Sequence, residues 1–191
     1  MKKYINLFIV VLALVFLSGC LSPSGNNFAE QKENAQIMRE DAVKHFIKSD
    51  VRFRALIQNA AGYAIFNATG VDLFLFSSES GWGVLYNRQD DHYKYMKLYS
   101  IGAGLGLGVR DFRSLYVFNT EKDIQYFLDH GWFLGAQANA ALKFDYGGAG
   151  AAVAYEISPG ITLYKLNKTA VILHATIQGT KIWGNSDLNQ E

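Results

Sequence analysis

The 191-residue sequence has little cysteine, little proline and no excess of charge of either sign. It contains one Cys and two Pro, and a single Cys excludes both a disulfide framework and a Cys-based zinc cluster. Its 18 Lys and Arg nearly balance its 17 Asp and Glu, which argues against a broad basic surface for nucleic acid. Half of the residues are apolar, so the composition predicts a folded chain.

The first twenty residues read as a targeting segment. Lys2 and Lys3 precede the apolar run Leu7 to Phe16, which is shorter than the roughly 20 residues that a membrane span needs. A run of this length is typical of the central part of a signal peptide. The following residues, 17–20, read Leu-Ser-Gly-Cys and resemble the bacterial lipobox. The alternative is a secretory signal with an incidental Cys.

The lipobox predicts removal of residues 1–19 and acylation of Cys20. Several acyl chains, as on mature bacterial lipoproteins, anchor a protein far more firmly than one chain does. Leu21 after the Cys resembles the sorting pattern that favours the outer membrane, with the domain facing the periplasm or the cell surface. Residues 20–27 are predicted to form a lipidated polar tether.

Residues 28–60 are predicted to be helical. Ala35, Met38, Ala42 and Phe46 recur at spacings of three and four, which predicts a helix over 28–48. Ser49 or Asp50 can cap a second helix over about 51–59. The segment presents a basic face that suits either anionic headgroups at a membrane surface or an ordinary solvated face. The candidate lipid-binding residues on it are Lys44, Lys48, Arg52 and Arg54.

From residue 61 to residue 184 the period changes to two, which predicts a β-rich domain followed by a polar tail at 185–191. One short helix, capped by Asn119 or Thr120 and ended by Gly131, interrupts the strands. The pattern predicts an α+β fold, mainly antiparallel, with a curved sheet closed into a barrel- or sandwich-like core and with N-terminal helices. The predicted strands are 62–67, 71–77, 82–87, 92–100, 101–109, 114–119, 133–146, 149–158, 161–166 and 170–183.

Alternate glycines occupy the strand predicted at 101–109. The registers starting at Gly102, Gly104 and Gly106 all fail the G-x-G-x-x-G dinucleotide fingerprint. Alternating Gly102, Gly104, Gly106 and Gly108 instead predict a strand with one face free of side chains. A second strand, a helix or an acyl chain can pack against such a face. We therefore include these four glycines among the candidate lipid-binding residues.

The sequence contains none of the catalytic motifs that we considered. The four His have no metal-ligand spacing, no G-x-S-x-G elbow is present, and the single Cys is assigned to lipid. We therefore expect no catalytic residue, no metal and no cofactor. Arg110 and Arg113 follow the glycine strand and suit either an anionic headgroup or a polar turn. Tyr93 and Tyr95 make one strand face aromatic.

Five stretches in order resemble the SYLF domain family over about residues 50–184. They are Leu56 to Phe66, Gly81 to Leu85, Gly104 to Gly108, Asn119 to Glu121 with Gly131-Trp132, and Ala170 to Ile182. The chain departs from the family pattern at Asn67, Ala170, His174 and Thr176. The resemblance implies membrane or lipid binding without known catalysis. Eukaryotic members also bind actin filaments in some cases, but a bacterial lipoprotein is not expected to do so.

Together these features predict a non-catalytic envelope lipoprotein of the outer membrane whose SYLF-like domain binds phospholipid or anionic headgroups. The alternative is a structural or protein-interaction lipoprotein of the envelope, with the Tyr93 and Tyr95 face as its contact. A hydrolase would require a cleft with convergent polar groups.

Overall fold

A computed structural model describes residues 22–136, 141–142, 153–167 and 176–190. The predicted signal peptide and Cys20 lie outside the described residues, as do parts of the strands predicted at 133–146, 149–158 and 170–183. Among the helices that the structure describes, none has the length and apolar character needed to cross a membrane.

Three helices form where the periodicity predicts them: α1 (Phe28–Ser49), α2 (Arg52–Asn59) and α3 (Glu121–His130). The Asn27 side chain caps α1 by accepting from the amide of Glu30 at 2.9 Å. A capping box between Thr120 and Asp123 starts α3, so Thr120 is the capping residue of the two proposed. Gly131 ends α3 with a φ of +59°, the left-handed conformation that glycine adopts without strain.

Two very long strands replace six of the predicted short ones: β1 (Gly62–Asn87) and β2 (His92–Phe118). The turn-favouring residues at 67–70 and 77–81 remain in the ladder, because each has a partner on the opposite strand. The ladder shifts register only between Phe74 and Phe76, where Phe74 has a φ of +55°. The remaining strands are β3 (Trp132–Ala136), β4 (Ala141–Leu142), β5 (Val153–Ser158), β6 (Ile161–Asn167) and β7 (Thr176–Gly184).

All described strand pairs are antiparallel. The order is β3-β7-β2-β6-β5-β4, and β1 pairs with β2 along nearly its whole length. On its other edge, β2 pairs first with β7 and then with β6. The seven strands curve into a nearly closed barrel, and the helices α1 and α2 precede it in the chain, which confirms the predicted fold class.

The β1–β2 hairpin folds back on itself near its middle, and glycine permits the contact that results. A Cβ at Gly81 would lie 2.5 Å from the carbonyl oxygen of Asn67, and a Cβ at Gly83 would collide with that of Ile65. The two ends of the hairpin therefore meet at one end of the barrel. The bend lies at the opposite end, about twelve residues or roughly 40 Å of strand away.

The core has two parts separated by the sheet. Outside the sheet, Phe46 of α1 and Phe53 of α2 pack against Leu115, and the two Phe rings meet edge to face at 5.1 Å. Inside the barrel, Ile124 and Phe127 of α3 close the end opposite the bend and are fully buried. All three helices therefore contribute to the packing of the sheet.

A candidate lipid-contacting site at the bend of the hairpin

The bend of the hairpin exposes a continuous group of apolar side chains. We call residues 71–76 and 101–109 the apolar elbow. Eight of the thirteen large apolar side chains that are exposed in the described part of the chain lie in it, at 38 to 72% exposure. They are Val71, Leu73, Phe74, Leu75, Phe76, Ile101, Leu107 and Val109. Soluble monomers rarely expose such a group without a binding role.

The two strands of the elbow pair with each other on both sides of the bend, although their side chains are exposed. Val71 pairs with Val109 and Leu73 with Leu107 before the bend, and the ladder resumes at Phe76 after it. Phe74 takes up the change of direction in a conformation that non-glycine residues rarely adopt. The ladder satisfies the backbone groups that face the partner strand, whereas on the outer edges, among the described residues, β1 has no second partner and β2 has none between residues 105 and 111.

The interior of the barrel next to the elbow is polar and charged. Arg110 Nε donates to Asp72 Oδ2 at 2.5 Å, and Lys165 Nζ donates to Glu79 Oε2 at 2.9 Å. Gln178 Nε2 donates to Glu79 Oε1 at 3.2 Å and thereby joins the β7 strand to the cluster. The four residues of β1, β2 and β7 in this cluster are buried, and we call these five residues the ion cluster.

The elbow thus has apolar side chains outside and charges inside. A water-soluble protein ordinarily exposes its charges and buries its apolar side chains. Nearer the other end of the barrel, both halves of the hairpin bury ordinary apolar cores. This local reversal marks the elbow as the part of the surface suited to a non-aqueous partner.

Both arginines predicted after the glycine strand lie inside the protein. Arg110 belongs to the ion cluster, and Arg113 is buried beneath α1. Arg113 Nη2 donates to Asp41 Oδ2 at 2.6 Å, and its Nη1 lies 2.9 Å from His45 Nδ1. The hydrogen bond from Arg113 holds the pKa of the Asp41 carboxyl below its usual range. The structure therefore places neither guanidinium where a headgroup would meet it.

The four basic residues predicted on the helices are exposed. Arg52 is held by Asp50, whose Oδ2 lies 2.6 Å from its Nη2, whereas Lys44 and Lys48 project from the last turns of α1. Those turns cover Arg113, which lies on the same sheet face as Val109, four residues or about 13 Å further along β2. The basic end of α1 therefore lies on the same side of the sheet as Val109 of the elbow.

The alternate glycines lie in the elbow, and the structure shows why glycine is needed at position 108. Its φ is +141°, and a Cβ added there would meet nothing within 4 Å. Backbone conformation, and not close packing, is what requires glycine at this position. Gly102 pairs with Ser77 on β1 and with Gln178 on β7, two residues that hydrogen bond to each other. Gly104 and Gly106 lie between Gly102 and Gly108 in β2.

The aromatic face considered for a protein partner is partly covered. The Arg39 guanidinium lies 5.0 Å from the centre of the Tyr93 ring, and Gln36 bonds to the Tyr95 hydroxyl at 3.4 Å. Both tyrosines line a groove of about 670 Å³ between the start of β2, α3 and the chain end. Within the described residues, no three His, Cys, Asp or Glu side chains converge as a metal site would require.

The exposure of the elbow could not be derived from the sequence pattern, although one signal was present. Residues 73–76 are four consecutive apolar residues, Leu-Phe-Leu-Phe, without the alternation of a half-buried strand. Such a run indicates either a strand buried on both faces or an exposed functional surface. The fold decides between these two possibilities, because the bend leaves the side chains of residues 73–76 exposed.

Comparison with known proteins finds a distant relative of this chain. The chain is 25% identical over 153 residues to Beta cell expansion factor A of Aeromonas veronii. The alignment covers 80% of this chain and 57% of that protein, so the chain spans a little over half of the relative's length. No protein-family model matches the sequence.

Proposed function

We propose that this protein is a non-catalytic, membrane-anchored envelope lipoprotein whose SYLF-like domain binds phospholipid bilayers through the apolar elbow. The observation that carries the proposal is the exposed apolar group at the bend. Full burial of one Leu or Phe side chain contributes roughly 1.5–3 kcal/mol. Eight partly exposed side chains therefore supply enough free energy for stable association with a leaflet, even after the cost of immobilising the domain.

The ion cluster supports a lipid partner. Because Arg110 is hydrogen-bonded to Asp72, and Lys165 to Glu79, insertion of the elbow brings no unpaired charge of this cluster into the hydrocarbon. The charges stay inside the hairpin while its outer face meets the acyl chains. A protein partner could also cover an apolar surface, but the eight large exposed side chains of the elbow are apolar and offer it few polar contacts for specificity.

The basic end of α1 favours anionic lipid. Lys44 and Lys48 lie on the same side of the sheet as the elbow, and each Lys near an anionic surface contributes about 1 kcal/mol. Arg54 of α2 is exposed as well, and the charge of Arg52 is partly neutralised by Asp50. Anionic phospholipid is therefore the ligand class that we propose.

The anchor is proposed from the sequence. Acylation of Cys20 in the lipobox would hold the domain at the outer membrane, facing the periplasm or the cell surface. The ordered motifs that resemble the SYLF family imply membrane binding, and the elbow provides a physical means for it. No actin partner, nucleic-acid partner or cofactor is part of the proposal.

Vesicle sedimentation tests the proposal. The chain from residue 20 onward, carrying Cys20→Ser so that no acyl chain contributes, is mixed with vesicles of phosphatidylethanolamine and phosphatidylglycerol. We expect binding that Leu73→Ser/Leu107→Ser weakens at least tenfold. The control is Ile37→Ser, which removes an apolar side chain of similar exposure from α1 and should change binding less than twofold. No binding to any anionic vesicle, or equal loss in both variants, would overturn the proposal.

The alternative function, a protein-interaction lipoprotein, rests on the groove at Tyr93 and Tyr95. A partner that stays bound after detergent has removed all lipid, and that Tyr95→Ala releases while Leu73→Ser/Leu107→Ser does not, would favour it.

A further inference from the structure

One row of the sheet next to the elbow carries aromatic and basic side chains. Trp132 of β3 pairs with Lys181 of β7, and Lys181 pairs with Tyr99 of β2. Trp132 is 61% exposed, and the Lys181 ammonium lies 5.1 Å from the centre of a ring of its indole. Trp132 and Lys181 are exposed and Tyr99 is partly exposed, so this row forms one cluster on the outer face of the barrel.

This row borders the elbow directly. Ile101 follows Tyr99 by two residues on the same strand face, a distance of about 7 Å, and Phe76 pairs with the next residue of that face, Ala103. Both Ile101 and Phe76 belong to the elbow. From the row of Trp132 towards the bend, the surface thus changes from aromatic and basic to mainly apolar within one step of the ladder.

We propose that Trp132, Lys181 and Tyr99 lie at headgroup level of the bilayer and set how deeply the elbow enters it. This inference rests on the proposed function. Trp and Tyr side chains favour the membrane interface because one end of each ring is apolar and the other is polar. A Lys beside them extends its ammonium towards the phosphates while its stem stays on the apolar surface. The occupant of this surface is a leaflet that contains anionic phospholipid.

The length of the elbow agrees with this depth. Five residues separate Tyr99 from Gly104 near the bend, and five separate Asp111 from Gly106 on the other arm. Each arm is thus about 17 Å long, against roughly 15 Å for the hydrocarbon of one leaflet. On the second arm the polar boundary is the exposed pair Thr69 and Asp111, joined by a hydrogen bond of 2.8 Å. Both arms become polar at the same distance from the bend.

Depth-dependent fluorescence quenching tests the inference. The chain has three Trp, so the signal of Trp132 is obtained as the difference between the unaltered chain and Trp132→Phe. A second reporter, Leu107→Trp in the Trp132→Phe chain, measures the elbow itself. Vesicles contain phosphatidylglycerol and a lipid that carries the quencher either at the headgroup or near the end of the acyl chain.

We expect the headgroup label to quench Trp132 strongly and the chain-end label to quench it weakly, with the reverse order for Leu107→Trp. If Leu107→Trp is quenched by the deep label while Trp132 stays open to an aqueous quencher, the headgroup position of Trp132 is refuted and the proposed function stands. If the deep label quenches both, the assigned depth is wrong. If vesicles protect neither reporter, the proposed function fails as well.

A charge reversal provides an independent measurement that does not depend on Trp. Lys181→Glu should weaken binding to phosphatidylglycerol vesicles about fivefold or more. Lys122→Glu, which changes an exposed Lys of α3, is the matched control and should change binding less than twofold. Equal effects of the two variants would show that Lys181 acts only through net charge, which would contradict its place at headgroup level.

Discussion

Arg110 and Asp72 form a two-bond ion pair inside the bend of the hairpin. Arg110 Nε lies 2.5 Å from Asp72 Oδ2, Nη2 lies 2.9 Å from Oδ1, and both side chains are less than one-tenth exposed. The pair bridges the two strands of the hairpin where glycines on β2 leave little apolar material to pack. It therefore fills the interior of the elbow with charge and leaves the apolar side chains outside.

Arg110→Met should destabilise the fold by about 3–5 kcal/mol, because the buried Asp72 carboxylate loses its guanidinium. The double variant Arg110→Met/Asp72→Leu should recover part of that loss, since it leaves neither charge of the pair behind. Urea denaturation of the parent, the two single variants Arg110→Met and Asp72→Leu, and the double variant measures the coupling free energy. A double variant whose loss equals the sum of the two single losses would show that the pair is not coupled.

Local periodicity was sufficient to predict the helices, because each one carries its own capping and burial pattern. Thr120 and Gly131 define α3 within the sequence itself, and the spacing of Ala42 and Phe46 defines the buried side of α1. The antiparallel, curved sheet also followed from the period of two. These features depend on residues that are near one another in the chain.

The bend could not be predicted in the same way, because it depends on pairing between distant residues. Gly62 pairs with Phe118, and that long-range register keeps the turn-favouring residues 67–70 within the strand. The face of Arg110 is likewise set by Asp72, a partner 38 residues away. A local pattern therefore assigned Arg110 to the surface, while the folded hairpin placed it inside.

The close approach of the two halves of the hairpin predicts a sharp difference between two glycines. Gly83→Ala should destabilise the fold by at least about 1–3 kcal/mol, because its Cβ would meet the Ile65 carbonyl oxygen and the Phe66 ring. Gly179→Ala is the control, since a Cβ there meets nothing within 4 Å. Thermal unfolding should leave Gly179→Ala within about 0.5 kcal/mol of the parent. Equal melting temperatures for the two variants would contradict the fold-back of the hairpin.

The contact between Asp41 and Arg113 predicts a pH-dependent part of the stability. Because Arg113 lowers the folded pKa of Asp41, the contribution is complete above the unfolded pKa of about 3.9 and is lost as the pH falls through the folded pKa. The Asp41 side chain is 51% exposed, so the contribution is about 1 kcal/mol or less. Denaturation of Asp41→Asn should therefore show a deficit at pH 7 that disappears near pH 2. A deficit that persists at pH 2 would assign the effect to packing.

Lys44 and Lys48 should determine the salt dependence of vesicle binding. Lys44→Glu/Lys48→Glu replaces attraction by repulsion at the basic end of α1, so binding to phosphatidylglycerol vesicles should weaken by more than tenfold at low salt. The loss should shrink as salt rises, because exposed charges more than about 10 Å apart are screened at 0.1 M. Binding to neutral phosphatidylcholine vesicles, which depends on the elbow alone, should stay unchanged. A double variant that loses neutral and anionic binding equally would show that the lysines act through the fold and not through headgroup charge.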